Sequence, residues 1–429
     1  IAVTALLPLV LFPWFGIADM QSAASPFANK VVFLFLGGFV VALAMQRWNL
    51  HRRIALTILQ YAGGNGRALV GGFMLATALV SMWVTNTSTT MMMLPIAVSV
   101  VAVIHSTVGD LTDNAKRDFQ YALILSVAYA STIGGLATLV GTAPNAIVAA
   151  FVLENYGTQI DFVSWMLVGI PLTALILPLA WLVLTRVAFH VDFRTSAESR
   201  THLRKLKSDL GPMSAAERRV GVVFLLLALT WICRPLLNRM PGLESLDDSG
   251  IAMAGAVALF LIPSGDAKDP QLLRWEQVEN LPWGILLLFG GGLSMANSVS
   301  ETGLAAWIGD SLHLVATLPD AAVVVIVSTI IILLGELTSN VATTVTFLPV
   351  VAAIAIEAGI DPVVLLVPIT LAASCSFMLP AGTPPNAIVF GSGLLTIPKM
   401  VRAGLAVDLI CIVLVPVIAL TLVPVFMRG

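Results

Sequence analysis

Residues 83–95 read W-V-T-N-T-S-T-T-M-M-M-L-P, a polar interruption inside an otherwise apolar segment. Its polar part is the continuous run at residues 85–89. A related stretch, L-T-S-N-V-A-T-T-V-T-F-L-P, occupies residues 337–349. A gap-free shift of 254 residues places Asn86 on Asn340 and aligns the Thr-Thr and Leu-Pro pairs that follow. The chain therefore contains an internal repeat that is marked by polar residues in apolar surroundings.

A second motif follows each of these stretches. Gly-Thr-Ala-Pro-Asn occupies residues 141–145, and Gly-Thr-Pro-Pro-Asn occupies residues 382–386. Proline removes a backbone donor and glycine frees the backbone, so we expect a helix to break at each motif. We therefore interpret the rest of the chain as a scaffold for four polar interruptions.

Apolar side chains dominate the composition. Of the 429 residues, 58% are hydrophobic and only 11% are charged, whereas soluble domains carry about a quarter charged residues. Many apolar runs approach the ~20 residues that span a bilayer as a helix. The net charge of −2 provides no basic field for nucleic acid. We therefore expect an all-α polytopic protein of the lipid bilayer, without a nucleic acid partner.

No pattern of an enzyme or of a bound cofactor is found in the sequence. The cysteines Cys233, Cys375 and Cys411 are scattered through apolar segments and have no disulfide or metal-binding spacing. The five histidines also lack ligand spacing, and a membrane hydrolase would need a G-x-S-x-G or paired-aspartate motif that we do not find. We therefore expect neither an enzyme nor an organic cofactor.

The apolar runs divide the chain into two halves joined by a basic cytoplasmic loop at 190–217. For the first half, 1–189, we predict spans at 1–16, 30–47 and 163–189, a helix in the membrane interface at 49–61, a re-entrant hairpin at 67–105 and a broken helix at 118–155. For the second half, 218–429, we predict spans at 218–236, 250–263, 283–299 and 398–427, an interfacial helix at 303–315, a re-entrant hairpin at 319–357 and a broken helix at 362–393. The hairpins are predicted to be re-entrant because their polar tips require protein or a wet cavity around them at membrane depth.

The basic residues of segment 186–219 predict the orientation, because positively charged loops stay in the cytoplasm. The first hairpin then faces the cytoplasm, whereas the second hairpin, the acidic loop 237–249 and the C-terminus face outward. The two halves are thus inverted, and inversion predicts at least one further helix before Ile1. Inverted repeats with a site at their interface are typical of secondary transporters. The expected location is a bacterial inner membrane.

The polar tips predict binding of ions. A helix that ends in mid-membrane leaves N–H and C=O groups without partners. Helix N-termini attract anions, while freed carbonyls and the oxygens of Asn, Ser and Thr suit Na⁺. Neither residues 68–109 nor residues 318–357 contain Lys or Arg. The charge of a bound anion would have to be offset by cations and helix dipoles, which is a physical reason for cation coupling.

A structural interpretation stays open for some of these polar residues. Ser and Thr in membrane helices often hydrogen-bond their own helix, and this applies to Thr89, Thr90, Thr343 and Thr344. Asn145 and Asn386 are either helix caps or ligands. Glu336, four residues before Asn340, is either a functional ionisable group or a structural hydrogen-bond partner, so we leave it unassigned.

At these residues the chain resembles the divalent anion/sodium symporter family, which includes dicarboxylate and citrate carriers. The family's two Ser-Asn-Thr tips and its Thr-Pro element correspond to Thr85-Asn86-Thr87, Ser339-Asn340-Val341 and Thr383-Pro384. The resemblance covers essentially the whole chain in order. It implies a homodimer in which a fixed scaffold holds a transport domain that moves as an elevator.

The resemblance also implies which residues bind. The first sodium site would comprise Ser81, Thr85, Asn86 and Gly141. The second sodium site would comprise Thr338, Asn340 and Gly382. The substrate carboxylates would contact Asn86, Thr87, Ser339, Asn340, Thr383 and Pro384.

The chain departs from the family pattern at four positions. Thr85 replaces Ser and keeps the hydroxyl, whereas Val341 replaces Thr and removes a donor. Ala143 stands where the second half has Pro384. Gly335 stands where the first half has Ser81, so the second sodium site is predicted to lack one hydroxyl and Gly335→Ser to strengthen it.

Together with these observations, the resemblance implies sodium-coupled import of a C4 dicarboxylate such as succinate, malate or fumarate. Three alternatives keep the same fold: a sodium-independent dicarboxylate exchanger, a citrate or sulfate carrier, and a sodium/proton antiporter. The antiporter would need a carboxylate at the midplane, for which Glu336 is the only candidate that the sequence suggests. A channel fits less well, because two inverted interruptions predict a closed site with alternating access.

Overall fold

The chain folds as a bundle of apolar helices. The computed structural model describes residues 2–62, 64–108, 111–195, 197–266, 269–304, 307 and 318–427. Within these ranges, extended pairing is confined to two isolated bridges, Asn65–Arg194 and Pro263–Gln271. Six of the described helices are long and apolar enough to cross a membrane: Met20–Arg47, Asn86–Thr107, Phe162–Val187, Ala215–Leu237, Asn340–Glu357 and Ile397–Phe426. The predicted all-α membrane class is confirmed.

The helices of the first half follow the predicted segments closely. They are α1 (Leu7–Phe15), α2 (Met20–Ala24), α3 (Lys30–Arg47), α4 (Leu50–Leu59), α5 (Gly66–Ser81), α6 (Asn86–Thr107), α7 (Asp113–Gly135), α8 (Ala143–Tyr156) and α9 (Phe162–Leu182). A π-helical turn, Val183–Val187, extends α9. Short 3-10 turns lie at Thr4–Leu6 and Ser25–Ala28.

The second half begins after a helix within the basic loop, α10 (Ala197–Ser208), which packs against α4 and α6. It contains α11 (Ala215–Leu237), α12 (Asp248–Leu261), α13 (Trp283–Glu301), α14 (Asp320–Gly335), α15 (Asn340–Glu357), α16 (Pro362–Ser374), α17 (Pro384–Gly391) and α18 (Ile397–Phe426). The interfacial helix predicted at 303–315 falls almost wholly outside the described residues.

Each repeat contains a helical hairpin that packs on the first half of a broken helix. Both α5 and α6 pack on α7, and both α14 and α15 pack on α16. Close packing on α7 requires Gly134, because a Cβ there would overlap the Ala78 carbonyl group of α5. Gly37 and Gly38 of α3 likewise lie against Ala252 and Val140. The small glycine pair therefore permits close helix contact there.

The two breaks lie earlier in the chain than predicted. The interruptions were expected at residues 141–145 and 382–386, but the helices stop at Gly135 and Ser374 and resume at Ala143 and Pro384. Proline is compatible with the first turn of a helix, where its missing N–H would have no partner. Pro144 therefore starts α8 instead of interrupting it, and the same holds for the prolines of α17.

The second halves of the broken helices cross into the opposite repeat. The helix α8 packs against α15 and α16, whereas α17 packs against α6 and α7. The repeats are therefore interlocked. This exchange brings the hairpin tips and the breaks, which are remote in the sequence, to one place at the centre of the molecule.

Candidate functional site

A central cavity lies where the polar interruptions meet. It has a volume of about 70 Å³ and is lined by the first hairpin tip, by residues 140–143 of the first break, and by Asn340, Val341 and Pro384 from the second repeat. The first residues of four helices, α6, α8, α15 and α17, are among these lining residues. Because a helix N-terminus carries partial positive charge and free N–H groups, the cavity suits an anion.

A neighbouring cavity continues from this site toward one end of the molecule. It measures about 190 Å³, shares Phe39, Thr85, Thr87 and Ile285 with the central cavity, and extends to Gln46 and Pro282. Among the described lining residues, neither cavity includes a Lys or an Arg. The charge of a bound anion is therefore left to helix dipoles and to other ligands.

An ion-pair cluster stands at the end toward which the second cavity extends. Arg47, next to Gln46, contacts Asp269 and Gln277. Hydrogen bonds from Arg47 and then Arg274 hold the pKa of the Asp269 carboxyl below its usual range. Arg53 of α4 contacts Glu217 at the same end, at 2.9 Å. Arg53 also donates to the Gly211 carbonyl at 3.0 Å, so the basic loop 190–217 lies at this end as well.

Oxygen atoms converge behind the first hairpin tip. The inward atom of the Asn86 carboxamide lies 2.8 Å from Ser81 Oγ, 3.0 Å from the Ser131 carbonyl oxygen and 3.3 Å from the Gly141 carbonyl oxygen. With its nitrogen inward, the carboxamide donates to all three oxygens. With its oxygen inward, the cluster presents a carboxamide oxygen, two carbonyls and a hydroxyl, which is a ligand set for a hard cation. In this second orientation the residues of the cluster could hold Na⁺ as a transported ion.

The structure brings together three of the four residues predicted for the first sodium site. Ser81, Asn86 and Gly141 come together, but the Thr85 side chain belongs to the α6 cap, where Oγ1 accepts from Ser88 N at 3.4 Å and donates to Ser88 Oγ at 3.0 Å. Ser131 was missed: its carbonyl joins the cluster, and its hydroxyl donates to the Asn86 carbonyl at 2.8 Å. Comparison of the two repeats did not indicate Ser131, because the equivalent residue of the second repeat is Ala372, which has no hydroxyl.

The second hairpin tip is arranged differently. Thr338 Oγ1 donates to the Leu334 carbonyl at 2.9 Å and lies 2.5 Å from Thr343 Oγ1. Asn340 Oδ1 accepts from its neighbour Val341 N at 2.9 Å, and Asn340 lines the central cavity. Ser339 precedes α15 without a side-chain cap bond. Pseudosymmetric residues therefore adopt different orientations at the two tips.

Residues of the second break complete the predicted substrate set. Thr383 precedes α17, and its Oγ1 accepts from Asn386 N at 3.4 Å. Pro384 starts α17 and lines the central cavity. The predicted substrate residues from both repeats thus lie at or beside the same cavity, with Asn86 and Asn340 both in its lining.

The asparagines of the Gly-Thr-x-Pro-Asn motifs hold the breaks together. Asn145 Nδ2 donates to the carbonyls of Gly135 at 3.0 Å and Thr138 at 2.8 Å. Asn386 Nδ2 donates to the equivalent carbonyls of Ser376 at 3.2 Å and Leu379 at 3.1 Å. These bonds satisfy backbone groups that the broken helices leave free. A structural role therefore explains why the motif recurs.

The threonines left open by the sequence divide into two groups. Thr343 Oγ1 donates to the Ser339 carbonyl at 3.1 Å, and Thr344 Oγ1 donates to the Asn340 carbonyl at 2.8 Å. Thr89 Oγ1 donates to the Val84 carbonyl at 3.5 Å. These three bonds are the local backbone bonds of the structural interpretation. Thr90 Oγ1, by contrast, is buried and has no hydrogen-bond partner among the described residues.

Glu336 connects the second hairpin to the second break. Its carboxylate oxygens accept from Met378 N at 3.0 Å and from Leu379 N at 2.7 Å. The expectation that Glu336 is the only candidate carboxylate of the midplane is wrong, because Asp408 of α18 is also buried and accepts from Phe377 N at 3.3 Å. Asp408 was not recognised in the sequence because it is the only acidic residue of the long apolar helix α18.

Interlocked helical repeats with polar breaks at a shared central cavity define a membrane transporter. A family model described as "Sodium:sulfate symporter transmembrane region" matches residues 1–427. The chain belongs to this family, which confirms the resemblance predicted from the motifs, and it is a transporter and not an enzyme.

Two relatives and one solved structure illustrate the similarity. The chain is 40% identical, over 99% of its length and 82% of the relative, to a Staphylococcus saprophyticus protein named sodium-dependent dicarboxylate transporter SdcS. The protein of the same name from Staphylococcus aureus is 39% identical, with the same coverage. The crystal structure of the Alcanivorax borkumensis YdaH transporter is similar with a TM-score of 0.57 and 14% identity, covering 93% of this chain and 86% of that chain. At this identity the structural likeness shows the fold alone.

Proposed function

We propose that this protein imports a C4 dicarboxylate, such as succinate, malate or fumarate, by symport with sodium ions. The observation that carries the proposal is the oxygen cluster around Asn86, which lies directly beside an anion-type cavity without Lys or Arg in its described lining. Relatives named sodium-dependent dicarboxylate transporters support the same pair of ligands. Succinate is the reference substrate, and citrate and sulfate are its competitors.

Charge balance explains why substrate and sodium would bind together. A dicarboxylate carries two negative charges near neutral pH, because carboxyl groups have a pKa of about 4. An uncompensated charge in the membrane interior costs several kcal/mol, roughly. Sodium ions held behind the hairpin tips supply positive charge and also order the loops that hold the carboxylates. Three or more ions per dianion would make import electrogenic, driven by an inside-negative potential.

Each set of residues has a separate task in this proposal. Ser81, Asn86 and Gly141, together with Ser131, hold the first sodium ion, with Thr85 as the helix cap that orders the tip. Thr338, Asn340 and Gly382 belong to the second sodium site. Asn86, Thr87, Ser339, Asn340, Thr383 and Pro384 contact the substrate carboxylates. The hairpins are re-entrant in this proposal, so that their tips reach the midplane from opposite sides.

The open end of the site supports an orientation for this state. The second cavity leads to the end that carries Arg47, Arg53 and the basic loop, and the positive-inside rule assigns such an end to the cytoplasm. The described conformation is then open to the inside. Two protomers would form a homodimer in the bacterial plasma membrane, and the transport domain of each would move as an elevator.

Coupling predicts that sodium strengthens substrate binding. We expect succinate to bind the purified protein in sodium. In choline at the same pH, its affinity should be lower by roughly tenfold or more, because the dianion then lacks its counter-charge. Calorimetry measures both affinities. In liposomes, labelled succinate should accumulate only with an inward sodium gradient, and citrate or sulfate should compete poorly. Equal binding in sodium and choline would instead favour the sodium-independent exchanger.

The elevator model makes a separate prediction about movement. Spin labels at the exposed Tyr61, next to α4, and at Thr107, at the end of α6, are expected to change their separation when the site turns outward. Labels at Tyr61 and on the loop 237–249 serve as the scaffold control and should keep their separation. A constant Tyr61–Thr107 distance during transport would indicate local gates instead of an elevator.

A further inference from the structure

The two repeats place a serine on opposite sides of equivalent crevices. In the first repeat Ser81 stands on the hairpin and faces a broken helix that carries Gly135; a Cβ on that glycine would overlap the Asn86 carboxamide. In the second repeat the equivalent positions are exchanged: Gly335 stands on the hairpin and Ser376 on the broken helix. A Cβ on Gly335 would lie only 2.5 Å from Ser376 Oγ. The space left by the glycine is thus occupied by the Asn86 carboxamide in the first repeat and by the Ser376 hydroxyl in the second.

The Ser376 hydroxyl is buried without a partner. Its side chain is 0% exposed, and Oγ makes no hydrogen bond to any described residue. Buried polar groups are hydrogen-bonded in the great majority of cases, and an exception calls for a ligand or another specific reason. The contrast with Ser81 is informative, because Ser81 Oγ donates to the Ser131 carbonyl at 2.7 Å in the first repeat.

Gly382 faces both Ser376 and two further oxygen atoms. The Cβ position of Gly382 lies 2.8 Å from Ser376 Cβ, 3.2 Å from the Gly335 carbonyl oxygen and 3.4 Å from Glu336 Oε2. A hydroxyl, a backbone carbonyl and a carboxylate are hard ligands. Asn340 belongs to the proposed second site, but in the described conformation its carboxamide oxygen accepts from Val341 N. The crevice therefore needs a side-chain ligand from another element.

We propose that Ser376 Oγ is a ligand of the second sodium ion, supplied by the broken helix in place of the hydroxyl that Ser81 supplies from the hairpin. The proposal rests on the sodium coupling proposed above. It replaces the expectation that Gly335 deprives the second site of a hydroxyl: the hydroxyl comes from the break after α16, and Gly335 makes room for it. Gly335→Ser alone would crowd Ser376 and weaken the site instead of strengthening it.

Direct sodium binding tests this assignment without a transport assay. We expect the full-length Ser376→Ala variant, purified without dicarboxylate, to bind one class of sodium ion roughly tenfold or more weakly by calorimetry, and the other class unchanged. Ser374→Ala is the matched control. Ser374 is also buried with a hydroxyl that has no described partner, yet it is not among the atoms nearest Gly335 or Gly382. Its sodium affinities should equal those of the wild type.

A double substitution separates ligation from packing. Gly335→Ser combined with Ser376→Gly transfers the hydroxyl to the hairpin and reproduces the arrangement of the first repeat. We expect it to bind sodium more tightly than either Gly335→Ser or Ser376→Gly alone, with a thermal midpoint showing that each variant is folded. Such mutual rescue requires that the two positions serve one site.

The outcomes distinguish this proposal from the sodium coupling on which it rests. Wild-type sodium affinity in folded Ser376→Ala, or an equal loss in Ser374→Ala, would overturn the role of Ser376 and leave coupling intact. Absence of sodium binding to the wild-type protein would overturn both. Weaker binding in Ser376→Ala alone, with rescue in the double variant, supports the assignment.

Discussion

Asn86→Ala is expected to abolish sodium-coupled succinate uptake in a protein that still folds. The substitution removes the side chain that faces Ser81 Oγ, the Ser131 carbonyl and the Gly141 carbonyl, and it also removes a residue from the cavity lining. Loss of a group that supports a bound metal ion typically lowers the affinity for that ion by roughly 10–100-fold. Because substrate and ion are coupled, we expect uptake in liposomes to fall by about 100-fold or more.

The matched control for this substitution is Asn155→Ala. Asn155 Nδ2 donates to the Phe151 carbonyl of its own helix at 3.0 Å, away from the lining of the central cavity. We expect its uptake to stay near the wild-type value. Near-normal uptake in folded Asn86→Ala would remove the hairpin tip from the proposed mechanism.

Asn86→Asp separates the two roles of the side chain. A carboxylate keeps the oxygen that a cation needs and adds a negative charge beside the substrate. We therefore expect sodium binding to be retained or strengthened, while succinate binding weakens through like-charge repulsion. Calorimetry with sodium alone, and with succinate in saturating sodium, distinguishes these effects. Parallel loss of both affinities would indicate damage to the tip and not a charge effect.

Asn340→Ala is expected to abolish uptake as well, with a different pattern of binding. In the second repeat the carboxamide lies at the central cavity and bonds locally to Val341 N, apart from the oxygen cluster of the first tip. Succinate affinity should therefore fall while the first sodium site keeps its affinity. The two asparagines align in sequence, yet their orientations predict that they are not interchangeable.

Glu336→Ala is the second substitution with a large expected effect, and this effect is on stability. The carboxylate accepts from the N–H groups of Met378 and Leu379 in the second break, and Glu336 is 2% exposed. A buried donor left without its partner costs about 1–3 kcal/mol, so two donors cost roughly 2–6 kcal/mol. We expect a marked fall in the midpoint of thermal unfolding in detergent, measured at one scan rate.

Glu336→Gln and Glu276→Ala complete this experiment. Glutamine keeps one acceptor oxygen but turns an amide group toward the other N–H, so an intermediate loss of stability is expected. Glu276 is exposed, and its replacement should leave the midpoint unchanged. A Glu336→Ala protein with wild-type stability that no longer transports would contradict the structural role and would revive a proton- or ion-binding function for this carboxylate.

Much of the local structure was accessible from the sequence. The predicted span at 30–47 coincides with α3, and the repeat located both hairpin tips, because apolar runs and polar interruptions are local signals of burial. The positions of the breaks were less accurate. A proline both ends one helix and fits the first turn of the next, so the motif alone did not reveal on which side of it the backbone unwinds.

The motifs indicated which residues of the hairpin tips and breaks lie near one another. Asn86, Gly141, Asn340 and Pro384 all line the central cavity, as the motifs suggested. Ser131, Ser376 and Asp408 were not identified. Ser131 and Asp408 lie in apolar helices, and Ser376 lies in the break that follows α16. The repeat pairs Ser131 with Ala372 and Ser376 with Gly135, so the comparison of halves did not reveal these two serines.

The sequence by itself determined that this is a two-repeat helical membrane protein with polar interruptions, because composition and periodicity depend only on neighbouring residues. The tertiary structure alone decided how these interruptions meet. The exchange of α8 and α17 between the repeats sets which oxygens face Asn86 and places Ser376 against Gly335. In the sequence, Gly335 indicates only that a ligand is absent. In the folded protein, Gly335 leaves the space that the Ser376 side chain occupies.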